Sequence, residues 1–274
     1  MRNSLEELKK HARNIRRSVI EISTPVKSSH TGGSFSAVDL LAVLYFEILK
    51  IDPKKPQDSL RDIFVYSKGH SSSAFYSTLA ERGFFNRKIL EEYYRDGGRL
   101  PGHPVRNCAP GVEVSSGSLG HGLPMAVGMA VARKYDKSPS RVFAMLSDGE
   151  CDEGSVWEAI MFAGFHKLDN LIAIVDYNKI QSLGSVKEVL NLEPLKAKWQ
   201  AFNWAVKEVD GHNLAKIYHS LKKLPFQKGK PSVLIANTVK GRGVSFMENK
   251  LAWHYRSLDT PEEYKKAMKE IETS

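Results

Sequence analysis

Arg141-Val-Phe-Ala-Met-Leu-Ser-Asp-Gly-Glu150 and Asn170-Leu-Ile-Ala-Ile-Val-Asp-Tyr-Asn-Lys-Ile180 decide how this chain folds. Arg141 to Leu146 and Leu171 to Val175 are short, continuous apolar runs, the mark of parallel strands covered on both faces rather than on one. Asp148 to Gly154 reads as a loop and Val156 to His166 as a helix, so the pair spells strand, loop, helix, strand. Towards the carboxyl side the alternation continues with a strand at Trp204 to Val209, a helix near Leu214 to Leu224 and a strand at Val233 to Val239. Towards the amino side, Ile63 to Tyr66 is a further short strand, ending in Ser67-Lys68-Gly69-His70, with a helix starting near Ser71. This order predicts an α/β fold, a doubly wound and mostly parallel sheet with helices on both faces.

The flanks fit that frame. Ser4-Leu5-Glu6-Glu7 is a capping box opening an amphipathic helix with Leu5, Leu8, Ala12, Ile15, Val19 and Ile22 on one face. A loop is expected from Ser23 to Phe35, then a second helix capped by Ser36 that buries Leu40, Leu41, Val43 and Leu44. Thr260-Pro261-Glu262-Glu263 caps a last charged helix. With no internal repeat, low-complexity stretch or long linker, residues 1–274 are expected to form one domain.

Composition narrows the function classes. Lys and Arg number 40 against 31 Asp and Glu, but they are scattered, without Arg-Gly runs or interleaved aromatics, so a solvated surface is expected and not a nucleic-acid face. Two cysteines, Cys108 and Cys151, are too few for a secreted disulfide framework. Charged residues interrupt the amino terminus, and the apolar run Leu40 to Phe46 is too short to span a bilayer. A cytoplasmic protein without membrane attachment is the expectation.

Ligands of doubly wound sheets sit beyond the carboxyl ends of the strands, which brings the loops after Leu146 and after Val175 together. Asp148 follows the first of these strands and Asn178 the second. A carboxylate and an amide oxygen are hard donors, suited to Mg²⁺, with Ca²⁺ or Mn²⁺ as alternatives, and a two-ligand protein site leaves coordination positions for phosphate oxygens. Gly149 allows backbone to approach such a phosphate. The same pair also reads as a helix cap and a turn residue; by themselves the two positions leave both readings open.

Further chemistry lies in loops. Ser116-Gly117-Ser118-Leu119-Gly120-His121-Gly122 precedes an Ala/Gly/Val-rich helix running to about Tyr135, and a helix start after glycines is a ready anion site. Four histidines sit in loops: His30 in Ser28-Ser29-His30-Thr31-Gly32-Gly33, His70 in Lys68-Gly69-His70-Ser71, His103 in Pro101-Gly102-His103-Pro104, and His254 in Ala252-Trp253-His254. Singly, each is as readily structural as catalytic. Histidines 11, 166, 212 and 219 read as surface or helix residues, and Cys151 as a small filler.

Together these segments resemble the thiamine diphosphate-binding, amino-terminal half of transketolases, from Ser4 to about Leu258. The resemblance implies that Asp148, Asn178 and the backbone carbonyl of Ile180 hold the metal. Gly149 would contact the diphosphate, Gly117 and Leu119 the cofactor's rings, and Glu153 and Glu158 would lie near the cofactor and a subunit contact. His30, His70, His103 and His254 would line the substrate cleft, with His70 and His254 also near the diphosphate. Imidazoles there would donate to the oxygen of a ketose carbonyl under attack, and move protons between steps. The sequence departs from the family pattern at Ser147, Ser29, His121 and Tyr255; the common residues there are Gly, Gly, Gln and Gly.

The resemblance covers only half of a transketolase. The other half supplies the glutamate that activates the cofactor and the arginines that grip a substrate phosphate. It therefore implies an α₂β₂ heterotetramer with a separate carboxyl-terminal, pyrimidine-binding subunit. The implied reaction is transfer of a two-carbon ketol unit between sugar phosphates. Those sugars would belong to the pentose phosphate pathway or to a dedicated sugar pathway. Alternatives are the α subunit of an oxo-acid dehydrogenase, a deoxyxylulose phosphate synthase-like protein, or a non-catalytic scaffold on the same fold.

Overall fold

A computed structural model describes residues 1 and 3–273; positions 2 and 274 of the expected domain lie outside the described residues. Five strands form one fully parallel sheet: β1 (Ile63–Tyr66), β2 (Val142–Ser147), β3 (Leu171–Tyr177), β4 (Ala205–Asp210) and β5 (Ser232–Asn237). Their spatial order is β1-β2-β3-β5-β4. In the register, Ala144 lies opposite Val65 and Ala173, and Ile174 opposite Leu234. The mostly parallel, doubly wound expectation is met, with each strand differing from its predicted bounds by no more than two residues.

Alternate side chains of each strand enter two separate apolar cores. Phe64, Tyr66, Phe143, Met145, Ile172, Ile174 and Leu234 face the first, filled by α1 (Leu5–Ser23), α2 (Thr31–Val43), α3 (Ser72–Arg82), α8 (Leu214–Leu221) and α9 (Pro261–Thr273). Val65, Ala144, Leu146, Ala173, Val175 and Ile235 face the second. That side is covered by α4 (Gly122–Tyr135), α5 (Gly154–Phe165), α6 (Val186–Val189) and α7 (Leu195–Ala201). Double cover is why β2 and β3 are buried at every position and why their sequences do not alternate.

The capping box forms as expected: Glu7 N–H donates to Ser4 Oγ at 3.2 Å and Ser4 N–H to Glu7 Oε2 at 2.6 Å. Leu8, Ala12, Ile15 and Val19 are buried, but Leu5, in the first turn, remains 38% exposed because the core does not reach that end of the helix. A larger correction concerns α2. The helix begins at Thr31, inside the predicted loop, and Ser36 lies in its interior, its hydroxyl donating to the Gly33 carbonyl at 3.0 Å. Gly32 and Gly33 hid this start. A Cβ at Gly32 would stand 3.0 Å from the Trp253 carbonyl oxygen, so the residue is chosen for close packing and not as a helix breaker. All of α2 is buried, and a π-helical turn (Leu44–Ile48) extends it. Thr31–Ile48 is long and apolar enough to cross a membrane, yet it is packed inside the fold as a core helix. Truncating Leu40 or Leu41 to alanine would cost about 2–5 kcal/mol.

Candidate active site

The carboxyl ends of β1, β2, β3 and β5 deliver Lys68, Asp148, Asn178 and Lys240 to one edge of the sheet. Above that edge lies a cleft of about 420 Å³. Its lining includes His30, His70, His103, His254, Gly117, Leu119, Asp148, Gly149, Glu153, Asn178 and Ile180, so every metal, cofactor and catalytic residue expected from the sequence reaches it. Glu158 does not line it; it lies exposed on α5.

Asp148 is 2% exposed and spans two loops: Oδ1 accepts from Gly149 N–H at 2.8 Å and Oδ2 from Lys179 N–H at 2.6 Å. It thus caps the short 3₁₀ turn Gly149–Asp152 as well as facing the cleft, so capping does not take the residue out of the cleft lining. Burial, and then the nearby carboxylate of Asp176, raise its pKa to about 6. Asn178, 6% exposed, accepts Ile180 N–H at 3.1 Å through Oδ1. The Ile180 carbonyl accepts from Lys240 Nζ at 2.9 Å. Three hard oxygens at one sheet edge, one of them a desolvated carboxylate and another already attracting an ammonium, fit a divalent cation completed by phosphate oxygens. Among the described residues no trio of His, Cys, Asp and Glu is arranged to hold a metal, so the four imidazoles are not themselves a metal centre.

The two lysines were not singled out from sequence. Lys68 is fully buried and donates to the Gly33 carbonyl at 2.9 Å and to Asp176. Asp176 also accepts from Ser36 Oγ at 2.7 Å and from Thr238 Oγ1, which ties β3, α2 and the end of β5 together. Removing one partner of such a buried pair costs about 3–5 kcal/mol. Lys240, 2% exposed, touches His254 Nδ1 at 2.7 Å, and burial pushes its pKa down to about 8. A lysine directly after a parallel strand, and an aspartate inside the run Leu-Ile-Ala-Ile-Val-Asp-Tyr, were the signals available. Glu150, fully buried, is a third such residue: it accepts from Ser67 Oγ and from Gly120 N–H at 3.1 Å, joining the β1 and β2 loops to the glycine-rich segment.

Glycine is required where these loops meet. A Cβ at Gly69 would stand 2.8 Å from Gly117 N, and one at Gly117, whose φ is +139°, would stand 2.8 Å from the His103 ring. His30 caps α2 in the left-handed region (φ 68°), its N–H donating to the His254 carbonyl at 2.8 Å. Its ring centroid lies 5.4 Å from His70, 6.4 Å from His103 and 4.9 Å from His254. Burial holds His30 down at about 4, helped by His103, Lys240 and Lys68, and His254 at about 3, helped by Lys240. Burial, then Lys68, puts His70 well below its ordinary value. At neutral pH these three rings are uncharged, each one donor and one acceptor. His121 is exposed and meets the Leu119 carbonyl at 3.2 Å through Nδ1, outside the cleft.

One histidine read as a surface or helix residue is neither. His212 precedes α8 with its side chain only 10% exposed; Nδ1 meets Asp39 at 2.8 Å and Nε2 accepts Val239 N–H at 2.7 Å. Arg16 grips the same Asp39 with two bonds, at 3.0 and 2.7 Å. The loop that ends in Lys240 is thereby pinned from behind.

A family profile described as "Transketolase, thiamine diphosphate binding domain" matches residues 8–271. The chain is 44% identical over 266 residues to the 6-deoxy-6-sulfo-D-fructose transketolase subunit SqwG of Clostridium sp. (strain MSTE9), covering 97% of this chain and 96% of that protein. It is 40% identical over 267 residues to an apulose-4-phosphate transketolase subunit of Phocaeicola vulgatus, covering 97% and 94%. Transketolase from Campylobacter jejuni superposes with a TM-score of 0.89 at 30% identity, over 98% of this chain and 43% of that one. With the site at its strand tips and this likeness along its length, the chain belongs to the transketolase family: it is a transketolase-type transferase of the amino-terminal, thiamine diphosphate-binding kind.

Proposed function

We propose that the whole chain works as one diphosphate-binding domain, the amino-terminal subunit of a split transketolase. Asp148, Asn178 and the Ile180 carbonyl would hold Mg²⁺ against the diphosphate, with Gly149, Glu153, His70 and His254 around it and Gly117 and Leu119 against the rings. When bound, thiamine diphosphate supplies the carbon nucleophile that a ketose carbonyl requires. His30, His70, His103 and His254 would donate to the developing alkoxide and carry protons to and from substrate hydroxyls. Lys240, in the cleft lining, would place a positive charge beneath the anionic cofactor, whereas the charge of Lys68 is taken up by Asp176. The single observation that carries this reading is the convergence of Asp148, Asn178 and four loop histidines on one cleft.

A pyrimidine-binding partner chain would close the cleft and supply the activating glutamate and the phosphate grip, in an α₂β₂ assembly with an obligate interface of about 2,000 Å² or more. Subunit naming in two relatives, and the 43% share of the full-length enzyme that this chain matches, support a partner. Substrates would be a ketose and an aldose bearing a phosphate or comparable anion, handled in the cytoplasm.

The test is reconstitution. Purified chain should bind thiamine diphosphate only with Mg²⁺, and ketol transfer should appear only when the partner subunit is present. Substantial transfer by this chain alone would refute the split, and binding that ignores Mg²⁺ would refute the assigned metal site.

A further inference from the structure

Ser29 and Tyr255, two positions where the chain departs from the pattern it resembles, lie 226 positions apart in sequence yet meet at one side chain. Ser29 Oγ lies 2.6 Å from His30 Nδ1, the one hydrogen bond made by that hydroxyl among the described residues. The Tyr255 ring lies 5.8 Å from the His30 ring, edge to face, and 4.7 Å from the His254 ring. Tyr255 lines the cleft and is 61% exposed, so much of its surface stays open to an incoming ligand. His30 is held between them in a left-handed backbone conformation that disfavours every residue but glycine and, less strongly, Asn, Asp and His.

We infer that Ser29 and Tyr255 tune this cleft around His30: Ser29 supports turnover by fixing which ring nitrogen carries the proton, and Tyr255 sets the substrate preference by closing the wall beside it. This rests on the transferase reading above. A neutral imidazole donates through one nitrogen and accepts through the other; with the serine hydroxyl assigned as donor to Nδ1, the ring proton sits on Nε2. Burial that keeps His30 uncharged is consistent with this pairing. His30 then offers one donor of fixed position to a sugar oxygen. Glycine at 255 would leave open space; a tyrosine fills it with an aromatic face and a hydroxyl at the tip. Such a wall suits sugars that turn carbon–hydrogen bonds toward it a short way beyond the reacting carbons. It works against long chains with a hydroxyl on every carbon, whose polar groups would lose water without finding partners.

Two measurements decide it. In ¹⁵N-histidine-labelled full chain, NMR should show His30 protonated on Nε2 in wild type and in Ser29→Thr, and a mixture of tautomers in Ser29→Ala. In the complex with the partner subunit, Ser29→Ala should lower kcat roughly tenfold with little change in KM for every donor, and Ser29→Thr should restore it. Tyr255→Gly should raise kcat/KM for a seven-carbon ketose phosphate relative to a five-carbon one by about threefold or more. An unchanged tautomer in Ser29→Ala overturns the role of Ser29, and a Tyr255→Gly effect equal for both donors overturns that of Tyr255. If wild-type complex transfers from neither donor, the proposed ketose phosphate donors are wrong and Tyr255's role falls with them, while the NMR result still decides Ser29.

Discussion

Lys240 Nζ stands 2.9 Å from the carbonyl oxygen of Ile180, so an ammonium sits on one of the three oxygens assigned to the metal. The same nitrogen reaches His254 Nδ1 at 2.7 Å. A single buried cation therefore links the diphosphate end of the cleft to its imidazoles. Replacement by a side chain of similar volume tests that link. Lys240→Met should weaken Mg²⁺-dependent thiamine diphosphate binding about tenfold or more, the worth of a hydrogen bond to a charged group, with circular dichroism unchanged. Calorimetry supplies the number, and equal affinity in the variant would remove Lys240 from the site.

Asp148→Ala should have a larger effect. It removes the one carboxylate among the metal oxygens and leaves Gly149 N–H and Lys179 N–H without their acceptor. We expect loss of metal-dependent cofactor binding by roughly a hundredfold. Stability should stay within about 2 kcal/mol of wild type, because relief of a desolvated carboxylate held at about 6 offsets the loss of the acceptor for these two N–H groups. A melting curve and a titration on the same preparation check both halves.

The crowded imidazoles make stability depend on acid. His30 and His254 hold folded values of about 4 and about 3, below the ordinary 6.5, so the unfolded chain takes up protons that the native chain refuses. Their contribution is complete above about pH 6.5 and is lost as the pH falls toward 4. Urea midpoints measured between pH 7.5 and 4.5 should decline, by on the order of 1–3 kcal/mol in unfolding free energy. His30→Asn together with His254→Asn should flatten that decline.

His212→Ala should destabilise the chain by about 1–3 kcal/mol, because it strands Val239 N–H and one side of buried Asp39. His212→Gln keeps a donor and an acceptor on the side chain and should recover part of the loss. A Tm series over the three proteins is the measurement.

The fold was legible because β2 and β3 state their environment directly: a strand buried on both faces leaves no room for polar alternation. The start of α2 was not legible. Gly32 and Gly33 look like loop residues to any local reading, and only the approach of Trp253, far along the chain, explains Gly32. The oxygens proposed as metal ligands and the histidines stand in recognisable segments, whereas Lys68, Asp176 and Glu150 are buried ionisable residues whose partners are distant in sequence. His212 escaped for the same reason: its meaning lies in Asp39, 173 positions earlier.

The residues of the cleft are anchored in two different ways. Asp148 and Asn178 hang directly from strand tips flanked by packed helices, whereas His30, His103 and Tyr255 belong to connections outside the sheet. Exchanging a residue of the second kind disturbs no strand and no ladder. A floor proposed to grip pyrophosphate can thus stay put while the rim is recut for a new sugar, so that diversification within such enzymes costs little folding stability.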